Sequence, residues 1–225
     1  AVNKTAIMLA ILISTAAISW NFPSPFIVML SYIGIFAAAI ASVVTFGFWM
    51  PFIGFIINPR PYLAPKTWLV FAFGEGFFIG LISLSFETMF PGIVLEAVSL
   101  TFCVAATLLF LYKSGIVKPS QNFVLMVCSA VFGIFLFYIG TLIYSLVTGV
   151  SPEIFSGSSN ASIGLSLFIV AMAAFSLVLD FDIIEQSAEY GSPKYMEYFG
   201  AMALVTTLIW LYIEILRLLA KFRSS

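Results

Sequence analysis

Apolar runs of about twenty residues recur along the whole chain, and they constrain its fold more than any other feature. About 20 helical residues, within a range of roughly 17–25, cross the hydrocarbon of a bilayer. There the backbone finds no water and must satisfy its own hydrogen bonds, so such runs are helices. Seven runs qualify: Thr5–Trp20, Phe26–Phe48, Trp68–Met89, Ile93–Tyr112, Phe123–Val147, Ile163–Asp182 and Tyr198–Leu219. The sixth is expected to continue toward Glu189. Composition agrees, with 62% hydrophobic and only 8% charged residues, whereas a soluble domain carries about 25% charge. The expected fold is an all-α polytopic membrane protein of seven transmembrane helices. A single domain over residues 1–225 is expected, with the lipid bilayer as its surroundings.

The segments between the runs set the topology. "WMPFIGFIINPRPYLAPKT" holds four prolines, too many for a straight helix. Residues 49–66 therefore read as a proline-rich interfacial loop on the cytoplasmic side, flanked by Trp49 and Trp68 as belt residues. Seven spans put Lys4, Arg60, Lys66, Lys113, Lys118 and Lys194 on one side. The loops of the other side carry no Lys or Arg; only its tail holds Lys221 and Arg223. The positive-inside rule then places the N-terminus in the cytoplasm, with the basic tail arguing against it. "NAS" at Asn160 fits a glycosylation pattern that is common by chance. The first residue is alanine, so the chain is read as starting from an internal or processed position.

Several functions are excluded. With no histidine, the chain lacks His-assisted Ser or Cys catalysis, His-ligated metal and His-ligated haem. No G-x-S-x-G occurs, so an enzyme is not expected, nor is a cofactor. A net charge of -1 offers nothing to nucleic acid. Cys103 and Cys128 read as buried thiols acting as small hydrophobes.

Ionisable residues inside the runs carry the functional signal, because each costs about 2.5–3.5 kcal/mol on insertion scales. Glu75 lies in "FGEGFFIG", where Gly76 and Gly80 form a close-approach pair. It reads either as a proton- or cation-binding carboxylate or as a group that ties helices together. Glu214 is three residues before Arg217, on the same helix face, and an ion pair between them is expected. Glu87 and Glu96 flank the "FPG" turn at the outer interface. In "LVLDFDIIEQSAEYGSP", Asp182, Glu185 and Glu189 share one face and read as a solvated helix end. Asp180 points about 200° away from Asp182, onto the face of Ile183 and Ile184. A carboxylate on an apolar face needs a partner, so Asp180 is the stronger candidate.

"FGEGFFIGLISLSFETMFPGIVLEAV", "LVLDFDIIEQSAEYGSPKYMEYFGA" and "LIWLYIEILRLLAK" resemble the bacterial Bax inhibitor-1/YccA-like branch of the transmembrane Bax-inhibitor-motif superfamily. The resemblance runs from "NKT" to the end and is weakest in the proline-rich loop. It implies seven helices with the last one central, and a bacterial inner-membrane location. Some members of the superfamily are pH-sensitive calcium leaks, in which sixth- and seventh-span aspartates share a proton-dependent bond. YccA is a partner and modulator of the membrane protease FtsH. Carried over, "LDFD" makes Asp180 the sixth-span aspartate. Counting back ten residues from Arg217 gives Thr207, which cannot ionise. The second-span arginine of the leak members also has no counterpart.

The expected function is therefore a pH-sensitive cation (Ca2+) leak channel with Asp180 as its proton gate. Glu75 or Glu214 would be its interior partner, and Asp182, Glu185 and Arg217 are secondary candidates. The alternative is a non-conducting regulator of another membrane complex, such as a membrane protease.

Overall fold

In the computed structural model, the described residues are 2–46, 60–150, 152, 154, 157 and 159–224. They are helical, with no strand among them, and seven helices are long and apolar enough to cross a membrane. These are α1 (Val2–Asn21), α2 (Pro25–Phe46), α3 (Ala64–Met89), α4 (Ile93–Lys113), α5 (Gln121–Thr148), α6 (Asn160–Glu189) and α7 (Tyr195–Ser224). The chain is a multi-pass membrane protein, as the apolar runs predict. The last helix is the most buried of the seven.

Local chemistry sets the helix ends. The Ser120 side chain accepts from the Phe123 amide at 3.2 Å and so caps the start of α5. At the end of α6, Gly191 takes a φ of 61°, and the Ser192 amide returns to the Ser187 carbonyl at 3.0 Å. That stop lies beyond Glu189, so α6 does extend past Asp182. The stretch read as a loop ends earlier than the prolines suggest. Pro61–Leu63 form a 3-10 turn and α3 starts at Ala64, because proline is tolerated in the first turn of a helix. Residues 49–59 of that loop, and residues 47 and 48 before it, lie outside the described residues.

The chain divides into two compact units. Unit 1 is Ala1–Met89 with Ile183–Thr206, and unit 2 is Phe90–Asp182 with Thr207–Ser225. In unit 1, α3 packs against α1 and α2 through small and hydroxyl residues. A Cβ at Gly76 would collide with Thr15 Oγ1 and the Leu12 backbone, and one at Gly80 would collide with Ser19 Oγ and the Ala16 backbone. Gly74 meets Gly34 backbone to backbone. Ser31 Oγ donates across to the Phe77 carbonyl at 3.2 Å, and the Thr45 and Thr67 hydroxyls bond at 2.8 Å. This pattern suits a bilayer, where lipid solvates apolar faces and close packing must bring helices together.

In unit 2, Ile134 of α5 packs with Ile169 and Met172 of α6, and Phe175 and Trp210 close over them. Both cysteines correct the sequence expectation: Cys103 and Cys128 are free and exposed rather than buried. Burial by apolar character is a rule for water. In a spanning helix an apolar thiol is equally at home facing acyl chains.

Candidate functional site

Asp180 extends an apolar stripe. Along α6 the buried positions Ser166, Ile169, Ala173, Leu177 and Asp180 recur every three or four residues, so the carboxyl lies on the face that α6 packs inward. It is 8% exposed. Its side-chain neighbour is Thr207 of α7, the position where the resemblance calls for a second aspartate. Oδ2 of Asp180 is buried and has no hydrogen-bond partner.

The other acids of "LVLDFDIIEQSAEYGSP" separate from it. The Tyr112 hydroxyl donates to Asp182 Oδ1 at 3.2 Å, and Tyr112 also packs on Phe181 with ring centroids 6.0 Å apart. Glu185 and Glu189 are exposed, matching a solvated helix end. The alternation read from the sequence therefore holds for Asp180 against Glu185 and Glu189. Asp182 belongs to neither set, being half-buried and held by a tyrosine of α4.

Glu214 sits in a second polar cluster of unit 2. It is 2% exposed and accepts from Arg217 at 2.9 Å and from the Tyr138 hydroxyl at 2.7 Å. Arg217 also lies over the Tyr138 ring, 5.8 Å from its centroid. The expected ion pair is present, and α5 supplies a third member. One turn further on, Lys221 donates to Ser166 Oγ at 2.7 Å and to the Ser162 carbonyl at 3.3 Å. Seven residues, about 10 Å of helix, separate Thr207 from Glu214, so these clusters occupy different levels of α7.

Glu75 belongs to unit 1. It is half-buried between Gly74, which abuts α2, and Gly76, which abuts α1. Among the described residues no hydrogen bond or ion pair reaches it. Glu96 is answered by Arg223 at 2.8 Å, and Arg223 also holds the Pro91 carbonyl at 2.8 Å. No group of three or more acidic or cysteine side chains that could hold a metal ion occurs among the described residues.

Tyr138 and Lys221 are the residues that sequence reasoning missed. A signal existed for Lys221: Glu214, Arg217 and Lys221 are spaced i, i+3, i+7 and therefore share one face. Tyr138 gave none, being one aromatic among many in an apolar run.

Chemically, Thr207 offers Asp180 a hydroxyl. A hydroxyl both donates and accepts. It can donate to a charged carboxylate or accept from a protonated one, so it follows either state without leaving its place.

A family model described as Bax inhibitor 1 like matches residues 1–224. No curated protein and no solved structure matches the chain.

Proposed function

Because the chain belongs to the Bax inhibitor 1 like family, we propose that it is a membrane channel passing cations, Ca2+ first among them, with a proton-controlled gate at Asp180. The observation that supports this reading is the buried Asp180 carboxyl, which has an unpaired oxygen and a hydroxyl as its side-chain neighbour. A charged carboxylate so placed is poorly solvated, and a neutral one is penalised far less. Protonation therefore changes what the α6–α7 contact at Thr207 costs, and pH acts on the packing of these two helices. Glu214 is engaged by Tyr138 and Arg217, which leaves Thr207 as the residue that answers Asp180 within unit 2.

The membrane in question is the bacterial inner membrane, with the N-terminus in the cytoplasm. Lys221 is buried on serine and Arg223 is bound to Glu96. The basic tail is thus tied into the fold, which is compatible with this orientation.

Ca2+ flux in proteoliposomes tests the reading. Flux should change across neutral pH, from about 6 to about 8, because protonating a buried carboxyl removes its charge, and Asp180→Asn should hold one conducting level across that range. Flux that is absent, or indifferent to both pH and the substitution, overturns it. A second reading rests on Thr207: the partner position cannot ionise, which suits a non-conducting regulator of another membrane complex such as a membrane protease. Stable co-purification of such a complex, with no conduction, would favour that reading.

A further inference from the structure

Three cations line the C-terminal part of α7, and two of them are answered by carboxylates. Arg217 pairs with Glu214 at 2.9 Å and Arg223 with Glu96 at 2.8 Å. Lys221 is the third. It is 8% exposed, and its partners, Ser166 Oγ and the Ser162 carbonyl, are neutral. Among the described residues no carboxylate stands within salt-bridge distance of it. Glu214, two turns back on α7, acts on it only through space, and a buried ammonium held this way calls for a closer counter-charge.

Two further observations point to the same place. Ser162 is fully buried, and its Oγ has no hydrogen-bond partner, so a hydroxyl donor is unused in the residue whose carbonyl Lys221 holds. Ser162 also lies in the first turn of α6, a helix of 30 residues. The Ser162 and Ile163 amides are already taken by Ser159, and it is the helix dipole that favours an anion at such an end. An ammonium, an unused hydroxyl and a helix start suit an oxyanion, which accepts several hydrogen bonds at once.

We propose that Lys221, Ser162 and the start of α6 bind one phosphate group. The same chemistry is offered by an anionic phospholipid headgroup and by free phosphate. The bilayer's own phosphates lie where its helices end. The site is independent of whether the chain conducts, because binding alone reads it out.

The experiment uses the full chain in detergent with four probes: phosphatidylglycerol, phosphatidylcholine, inorganic phosphate and chloride. Native mass spectrometry reads lipid retention, and thermal unfolding reads protection. The wild type should retain phosphatidylglycerol several-fold better than phosphatidylcholine. Lys221→Met should remove that preference, Lys221→Arg should keep it, and Arg223→Gln should leave it in place. Should Lys221→Met fail to fold, Ser162→Ala should weaken the same preference. Protection by phosphatidylglycerol alone assigns the site to a headgroup, and equal protection by inorganic phosphate assigns it to free phosphate. Lys221→Met or Ser162→Ala protein that folds and matches the wild type with every probe overturns the proposal, as does chloride protecting as well as phosphate.

Discussion

At the scale of single residues, the polar groups of unit 2 differ in how fully they are answered. Glu214 is answered twice, by a guanidinium and by a phenol. Tyr138→Phe removes the shorter of these bonds and should cost about 1.5–3 kcal/mol, the usual worth of a hydrogen bond to a charged group. Tyr144→Phe, on an exposed side chain of the same helix, should stay within roughly 0.5 kcal/mol; unfolding of both in detergent makes the comparison. Asp180 could be read from the sequence because helical periodicity separates it from Glu185 and Glu189. Its neighbour was found only as a position, ten residues before Arg217, where the expected acid is absent. Asp182 was misplaced among solvated acids because its partner Tyr112 is 70 residues away, on another helix. No local pattern reports such a contact.

At the scale of elements, α3 is the helix whose packing leaves least room. Gly76 meets the Leu12 carbonyl, 2.7 Å from where a Cβ would stand, and backbone cannot give way as a side chain can. Gly76→Ala should therefore destabilise unit 1 by about 1–3 kcal/mol, as overpacking does. Gly133 and Gly140 of α5 face open space. The same substitution there should be neutral or stabilising by up to roughly 1 kcal/mol, from helix propensity alone. Heat-induced loss of monodisperse protein would rank the three, and a Gly76→Ala protein as stable as the other two would refute the packing argument. The Gly76–Gly80 spacing was legible as a close-approach motif. That its partner is α1, with Thr15 and Ser19 seated on the glycines, was not, since spacing names a face and not what meets it.

At the scale of the whole molecule, the seven spans were legible because hydrocarbon thickness filters sequences severely. The two cysteines were misjudged because a rule for water was applied to lipid. Their exposure makes a Cys103→Ser, Cys128→Ala background cheap, within about 0.5 kcal/mol for surface changes. Topology can then be read from single new cysteines. An impermeant maleimide should label Ser24→Cys and Val150→Cys from one side of the membrane, and Ser114→Cys and Ser192→Cys from the other. Ser192 labelling together with Ser24 would contradict seven crossings. The division of the chain has a consequence for biosynthesis. Unit 1 begins with the first 89 residues but takes its remaining part from Ile183–Thr206, including Tyr198, which packs on Trp68. At about 5–20 residues per second, the ribosome needs roughly 5–20 s to cover the interval. For that time α1, α2 and α3 wait in the bilayer with Trp68 uncovered by Tyr198, and a nascent chain arrested before α7 would present that unfilled face to quality control.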